Sequence, residues 1–315
     1  MTSPVDADAA DLLAAARSGD RSALARLLSK VERGGTDARS VSEVTHSLAG
    51  AATTVGITGA PGAGKSTLTS ALVREMRTSD VSVGVLAIDP SSPFTGGAIL
   101  GDRVRMDEHA LDEDVFIRSM ATRGHLGGLS VAVPDAARVL DAAGMQWVLI
   151  ETVGVGQVEV EIAGEADTTV VVVNPGWGDT VQANKAGLME IADIFVVNKA
   201  DRAGLEETVA DIERMLSLRT TSEWRPPVVQ TVAIEGRGSD ELWSAIQRHG
   251  IWSRHSGEFE RRRSLRLDQE LRRVVNALVA ANVEELAAGE AWHQARRDVA
   301  ARNIDPWTAA NELLA

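Results

Sequence analysis

The chain of 315 residues carries 45 acidic against 32 basic side chains, a formal net charge of -13, and no cysteine. That balance excludes a protein that works by neutralising nucleic-acid phosphates, and the lack of thiols excludes disulfides, thiolate metal sites and a cysteine nucleophile. The acidic start, Met1-Thr-Ser-Pro-Val-Asp-Ala-Asp8, lacks a signal peptide's basic and apolar regions, and no apolar run nears the ~20 residues of a membrane span, so a soluble, cytoplasmic protein without a membrane partner is expected.

Residues 1–50 predict a helical extension, with apolar residues three and four apart in Ala9 to Ala16 and Ser22 to Leu28 and a break at Gly34-Gly35. From residue 53 onward apolar, β-branched runs alternate with helical segments: Thr53–Gly59, Val81–Asp89, Asp114–Ser119, Trp147–Glu151, Thr168–Asn174, Ile194–Asn198 and Val228–Ile234. Continuous rather than alternating apolar character predicts strands covered on both faces, hence an α/β fold with a mainly parallel sheet flanked by helices. Ligands of such sheets bind beyond the carboxyl ends of the strands, so the polar residues there carry the chemistry.

The first run leads into Gly59-Ala60-Pro61-Gly62-Ala63-Gly64-Lys65-Ser66, followed by Thr67 and a helix-favouring segment to Met76. This is the phosphate-binding loop pattern G-x-x-x-x-G-K-[ST]: successive N–H groups turn towards a β-phosphate, Lys65 faces the β/γ oxygens and the Ser66 hydroxyl faces Mg2+. The next helix presents the positive end of its dipole to the same anion. The second run, expected beside the first, ends in Asp89 and enters Pro90-Ser-Ser-Pro-Phe-Thr-Gly-Gly-Ala-Ile-Leu-Gly-Asp102-Arg-Val-Arg105. Asp89 either orients a water near the γ-phosphate or caps the turn. Asp102 and Arg105 share a segment that can bring a carboxylate to the metal and a cation to the phosphates. After the third run, Arg123-Gly-His125-Leu-Gly-Gly128 places a histidine in a glycine-rich loop. Phosphoryl transfer asks for positioning and charge, so His125 fits a structural or interface role better than that of a base.

The fourth run ends in Glu151-Thr-Val-Gly154-Val-Gly-Gln157, a Walker B arrangement in which Glu151 would hold Mg2+ through water and the Gly154 N–H would sense the γ-phosphate. Gln157 lies two residues beyond the place where small GTPases keep a water-orienting glutamine. The sixth run leads into Asn198-Lys199-Ala-Asp201, and in N-K-x-D the aspartate accepts from guanine's ring N–H and exocyclic amine, which selects GTP over ATP. The last run enters Val232-Ala233-Ile234, the place of a guanine-contacting backbone loop, and Ser239 is expected to cap the helix that follows. Lysine occurs only at 30, 65, 185 and 199, which marks Lys185 as unusual. It sits in Asn174-Pro-Gly-Trp177-Gly-Asp179-Thr-Val-Gln-Ala-Asn-Lys185, where Trp177 is either a packing plug or a partner contact. Residues 255–315 predict a charged helical arm striped by Phe259, Leu265, Leu267, Leu271, Val274, Val275 and Leu278, suited to dimerisation or to docking on its own core. The domains expected are thus 1–50, a nucleotide-binding core at 51–254 and an arm at 255–315.

Together the block from Asp89 through Asp102 and Arg105, Thr122-Arg-Gly-His-Leu-Gly-Gly128, Glu151-Thr-Val-Gly-Val-Gly-Gln157, Met189-Glu-Ile-Ala-Asp193 and Asp305-Pro-Trp-Thr-Ala-Ala310 resemble the MeaB/ArgK GTPases over nearly the whole chain. The resemblance implies a P-loop GTPase that needs Mg2+, is a homodimer through its C-terminal arm, and serves as a chaperone of an adenosylcobalamin-dependent acyl-CoA mutase, gating cofactor loading and protecting the mutase. It implies active-site roles for Lys65, Asp89, Asp102 and Glu151, and a partner-facing switch loop around Lys185. Two positions depart from it: Trp177 replaces a small residue and Val232 the usual serine of the guanine loop. Two other functions compete. A kinase acting on a transport protein predicts phosphate on protein, and a nickel-inserting GTPase needs ligand clusters that the six scattered histidines and absent cysteines do not supply.

Overall fold

The computed structural model describes residues 4–89, 108–109, 111–121, 132–152, 158–176, 187, 190–218 and 223–314. Three N-terminal helices come first, α1 (Pro4–Arg17), α2 (Arg21–Arg33) and α3 (Gly35–Thr45). In α2 the buried residues Leu24, Leu27, Leu28 and Val31 recur at helical spacing, and Asp20 caps the helix by accepting from the amides of Ser22 and Ala23 at 2.8 and 3.0 Å. Each such leucine contributes roughly 1.5–3 kcal/mol on burial, which fastens this cap to the sheet. Gly34, at φ 75, ends α2 and a third helix starts at once, one element more than the sequence pattern showed.

The core follows as β1 (Thr53–Gly59), α4 (Lys65–Thr78), β2 (Val83–Asp89), β3 (Val115–Ala121), α5 (Ala132–Ala142), β4 (Trp147–Thr152), α6 (Val158–Glu165), β5 (Thr168–Val173), β6 (Ile194–Asn198), α7 (Leu205–Ser217), β7 (Val228–Thr231) and α8 (Ser239–His255). The strands form one seven-stranded sheet in the order β3-β2-β4-β1-β5-β6-β7, and every pairing is parallel. One expectation fails here: β2 does not adjoin β1, because β4 lies between them. Both faces are covered, as the apolar runs required. Ile88, Met120, Val148 and Ile150 pack with α1, α2 and α5 on one face, while Val55, Ile57, Leu149 and Val172 pack with Leu68 and Leu72 of α4 and Ile246 of α8 on the other. β7 is shorter than its apolar run, because the chain turns at Val232 into a 3-10 turn, Ala233–Glu235. Ser239 opens α8 without capping it; Gly238, left-handed at φ 80, holds the cap position and no side chain bonds there.

At the amino edge of the sheet, aspartates that precede one strand bind amides of the neighbouring one. Asp167 accepts from Thr54 N at 2.9 Å, Asp193 from Thr169 N at 2.8 Å, and Asp141 from Gly50 N and Ala52 N at 2.6 and 3.0 Å. Thr168 and Asp193 also flank the buried His249 of α8, at 2.8 and 3.3 Å from its two ring nitrogens.

The chain divides into two compact units, one ending at Phe259 and one starting at Glu260. The second holds most of α9 (Glu258–Ala287), then α10 (Glu290–Ala300) and α11 (Pro306–Leu314). Asp305 caps α11 through the amides of Trp307 and Thr308, with Pro306 at the first helical position. α9 buries none of its residues, and Leu265, Leu267, Leu271, Val274, Val275, Leu278 and Val279 are all exposed along it. Among the described residues, no helix is long and apolar enough to cross a membrane.

Candidate functional site

The site lies where β1, β4, β6 and β7 deliver their carboxyl ends. Gly59 closes β1 at φ +133, and a Cβ there would sit 2.0 Å from the carbonyl oxygen of Val172 on β5, so only glycine lets the loop leave the sheet at this point. Gly64, at φ +91, starts α4; a Cβ on it would lie 2.5 Å from Nδ2 of Asn198. The two constraints come from β5 and β6, next to β1 and one strand beyond.

Directly after Gly64 the loop supplies its own cation. Lys65 is buried, and its Nζ donates to the carbonyls of Gly59 at 2.7 Å and Ala60 at 3.1 Å. These two carbonyls hold the ammonium at the mouth of the loop, where its charge faces an incoming anion. The amides at the start of α4 face the same space, so the loop combines a fixed charge with a helix N-terminus.

Ser66, the next residue, donates its hydroxyl to Oε1 of Glu151 at 2.5 Å, and the carboxylate is 2% exposed. Glutamate at the end of β4 thus reaches the P-loop helix directly, the longer side chain spanning what an aspartate would leave open. A hydroxyl and a carboxylate in contact form a hard-oxygen pair of the kind Mg2+ prefers. Behind them Thr152 Oγ1 donates to Thr58 Oγ1 at 3.1 Å, tying the ends of β4 and β1 together.

The third part is a knot around Asn198. Its Nδ2 donates to the carbonyl of Ala63 in the loop at 2.8 Å, while its Oδ1 accepts from Thr231 Oγ1 and Ala233 N, both at 3.1 Å. One buried amide therefore joins the P-loop, the end of β7 and the 3-10 turn. Lys199, held at φ 59, reaches over the loop to the carbonyl of Gly62 at 2.7 Å. Asp201 is exposed, with its carboxylate open to a ligand. Val232 and Ala233 are buried in the turn while Ile234 points outward, 85% exposed.

The structure thus brings together Gly59, Ala60, Pro61, Gly62, Ala63, Gly64, Lys65, Ser66 and Thr67 with Glu151, Asn198, Lys199, Asp201, Val232, Ala233 and Ile234. Asp89 ends β2, two strands from β1, and only its backbone is described. Asp102, Arg105, Gly154, Trp177, Asp179 and Lys185 lie outside the described residues. Thr231 was missed by the sequence reading. Its signal was available as a β-branched hydroxyl residue directly before the guanine loop, but its partner 33 positions away was not.

Comparisons with known proteins agree with this arrangement. The profile of the family described as methylmalonyl Co-A mutase-associated GTPase MeaB matches residues 24–288. A protein of Pyrococcus abyssi bearing a GTPase name is 48% identical over 308 residues, 96% of this chain and 95% of that one. GTPase ArgK of Escherichia coli is 39% identical over 252 residues, 76% of each chain. A mouse protein named methylmalonic aciduria type A homolog, mitochondrial, is 36% identical over 216 residues, 66% of this chain and 52% of its own length. Among solved structures, one titled LAO/AO transport system kinase superposes with a TM-score of 0.69 at 28% identity, covering 99% of this chain and 98% of that one.

Proposed function

We propose that this chain, which belongs to the MeaB family of P-loop GTPases and hydrolyses GTP to GDP and phosphate, is a chaperone of an adenosylcobalamin-dependent acyl-CoA mutase. The observation that carries the proposal is the family match across residues 24–288, whose description names association with methylmalonyl-CoA mutase. In this reading GTP turnover gates loading of the mutase cofactor and protects the loaded enzyme.

The site residues take the following roles. Gly59 to Thr67 cradle the β- and γ-phosphates through their amides, and Lys65 stabilises the charge that builds on them as the terminal bond breaks. Asp201 accepts from the guanine edge, Lys199 lays its stem beside the base, and the amides of Val232 to Ile234 close the far side. Asn198 keeps the two loops in register. Ser66 and Glu151 would hold Mg2+, with Asp89 and Asp102 as further oxygen ligands; when bound, the ion neutralises triphosphate charge. Arg105 adds a cation to the phosphates. Gly154 reports the γ-phosphate, while Trp177, Asp179 and Lys185 form the surface that the mutase reads. Residues 255–315 join two copies into a homodimer, which accounts for the uncovered apolar stripe of α9. The chain works in the cytoplasm.

GTP turnover measured alone and with each adenosylcobalamin-dependent mutase of the source organism, alongside Lys185→Ala, tests the reading. Slow basal hydrolysis should be accelerated by one mutase, and the variant should bind GTP without showing acceleration. Phosphate transferred to protein instead of released would favour a kinase, the activity that names the structurally similar protein. If no mutase alters turnover or nucleotide affinity, the chaperone role falls and the GTPase remains.

A further inference from the structure

Lys199 has a backbone conformation that the strand before it does not call for. Among the described residues other than glycine, Asp80, Lys199 and Arg302 have positive φ, at 56, 59 and 60. Asp80 and Arg302 each follow a helix, α4 and α10, and their amides bond back to Arg77 O and Val299 O, the ordinary setting of a left-handed residue. Lys199 follows β6 instead, where the chain has been extended for five residues. A side chain's Cβ disfavours the left-handed region, so neighbouring groups must hold the residue there. Glycine would adopt the conformation freely, but it would lack the stem that carries Lys199 Nζ to Gly62 O at 2.7 Å.

Both sides of Lys199 are fastened to the same residue. Thr231 ends β7 and stands opposite Asn198 at the last rung between β6 and β7. Its hydroxyl donates to Asn198 Oδ1 at 3.1 Å, and its carbonyl accepts from Ala200 N at 3.0 Å. Thr231 is fully buried, so water competes for neither bond. With residues 198 and 200 tied to one point, the peptide planes that flank Lys199 are fixed. The consequence falls on Asp201. Arg202 N bonds Lys199 O at 3.0 Å, closing a turn with Ala200 and Asp201 at its centre. No described residue bonds the exposed Asp201 carboxylate, so its direction comes from this turn.

We propose that Thr231 is a positioning residue for base selection: by clasping Asn198 and Ala200 it keeps Lys199 left-handed and so aims Asp201 at the guanine edge. The inference rests on the guanine contact assigned to Asp201 under the proposed function. Inosine triphosphate keeps the ring N–H of guanine and lacks the exocyclic amine. The preference for GTP over ITP therefore reports whether the carboxylate is aimed to accept from both groups.

The test measures affinity for GTP and for ITP in the wild type, Thr231→Val, Thr231→Ser and Asp201→Asn, with urea unfolding of each. Thr231→Val keeps the shape and loses the donor; it should cut the preference for GTP about tenfold while ITP affinity falls no more than about threefold. Thr231→Ser, which restores the hydroxyl, should keep the preference within about twofold of wild type. A threonine that only stabilises the fold would lower the unfolding midpoint and weaken both nucleotides alike, and an unchanged preference in Thr231→Val would overturn the proposal. Asp201→Asn separates the two readings. If it abolishes the preference while Thr231→Val keeps it, the clasp alone falls; if it keeps the preference, the guanine role of Asp201 falls and the clasp with it. Should Thr231→Val not fold, amide exchange in the wild-type protein decides. The Ala200 amide should be protected before nucleotide is added, and exchange at the rate of an open loop would overturn the clasp.

Discussion

Replacing Asn198 by alanine should uncouple the two halves of the nucleotide site. The side chain is 2% exposed and makes three bonds, to Ala63 O, Thr231 Oγ1 and Ala233 N, at 2.8, 3.1 and 3.1 Å. Truncation leaves one acceptor and two donors in a space too enclosed to hydrate them all. A typical intramolecular hydrogen bond is worth about 1 kcal/mol net and an orphaned buried group costs about 1–3, so a loss of roughly 3 kcal/mol in stability is expected. Binding should suffer separately. The amide holds the P-loop and the guanine turn in register before the ligand arrives, and ordering them on binding instead should weaken GTP and GDP alike about 10- to 100-fold, equivalent to about 1.4–2.7 kcal/mol. Urea unfolding at constant protein concentration reads the first quantity, and titration with a fluorescent guanine nucleotide reads the second. An unchanged unfolding midpoint together with wild-type affinity would refute the view that this amide is the joint between the loops.

Asp201→Asn turns an acceptor into a group that also donates, so it should weaken GTP and strengthen binding of xanthosine triphosphate, whose ring presents a carbonyl in place of the amine; competition binding decides this. Stability should fall on acidification. The Ser70 hydroxyl and, less strongly, Arg74 hold the Glu108 carboxyl below its usual range, and Arg77 does the same for Asp112. A folded-state pKa below the unfolded value means that this stability is complete above about pH 4–5 and is lost as pH falls through the lowered values, so thermal melts from pH 7 to 3 should drop at the acid end, and less so in Glu108→Gln. Leu271→Asp with Leu278→Asp, both on the exposed stripe of α9, should convert a dimer to a monomer in sedimentation without lowering GTP affinity more than threefold. Ser66→Ala should abolish the Mg2+ dependence of nucleotide affinity, measured by titration with and without EDTA.

Much of this site was legible because its signals are local. Lys65 and Ser66 sit in one continuous pattern, and the strand that ends in Glu151 announces itself by an apolar run closed by a carboxylate. The placement of β2 was not legible, since strand order depends on crossovers that leave no mark on the strands themselves; β1 and β2 are consecutive in the chain and two positions apart in the sheet. The tetrapeptide Asn198–Asp201 suggested that its asparagine steadies the base and loop, but not which carbonyl it bonds, Ala63 O, 135 residues away. The early turn at Val232 was hidden for another reason. Val232, Ala233 and Ile234 are as apolar as a strand, yet the Asn198 amide draws Ala233 N out of the ladder and the turn follows. The ion pairs between α4 and the residues just before β3 were masked by charge: Arg74 with Glu108, and Arg77 with Asp112 and Asp114, look like any solvated surface until their pairing is seen.

The aspartates along the amino edge of the sheet have a consequence for how such a protein can change over evolutionary time. Asp141, Asp167 and Asp193 each hold main-chain amides at or next to an adjoining strand of the sheet, so a residue added or lost there shifts a strand against its neighbour and turns its apolar side chains to the wrong face. At the opposite edge, lengthening a connection costs only about 0.6 kcal/mol per doubling. Insertions and deletions are therefore tolerated on one edge alone, and it is the edge that carries the nucleotide. New partners can be acquired by rewriting the loops there while the frame beneath keeps its register.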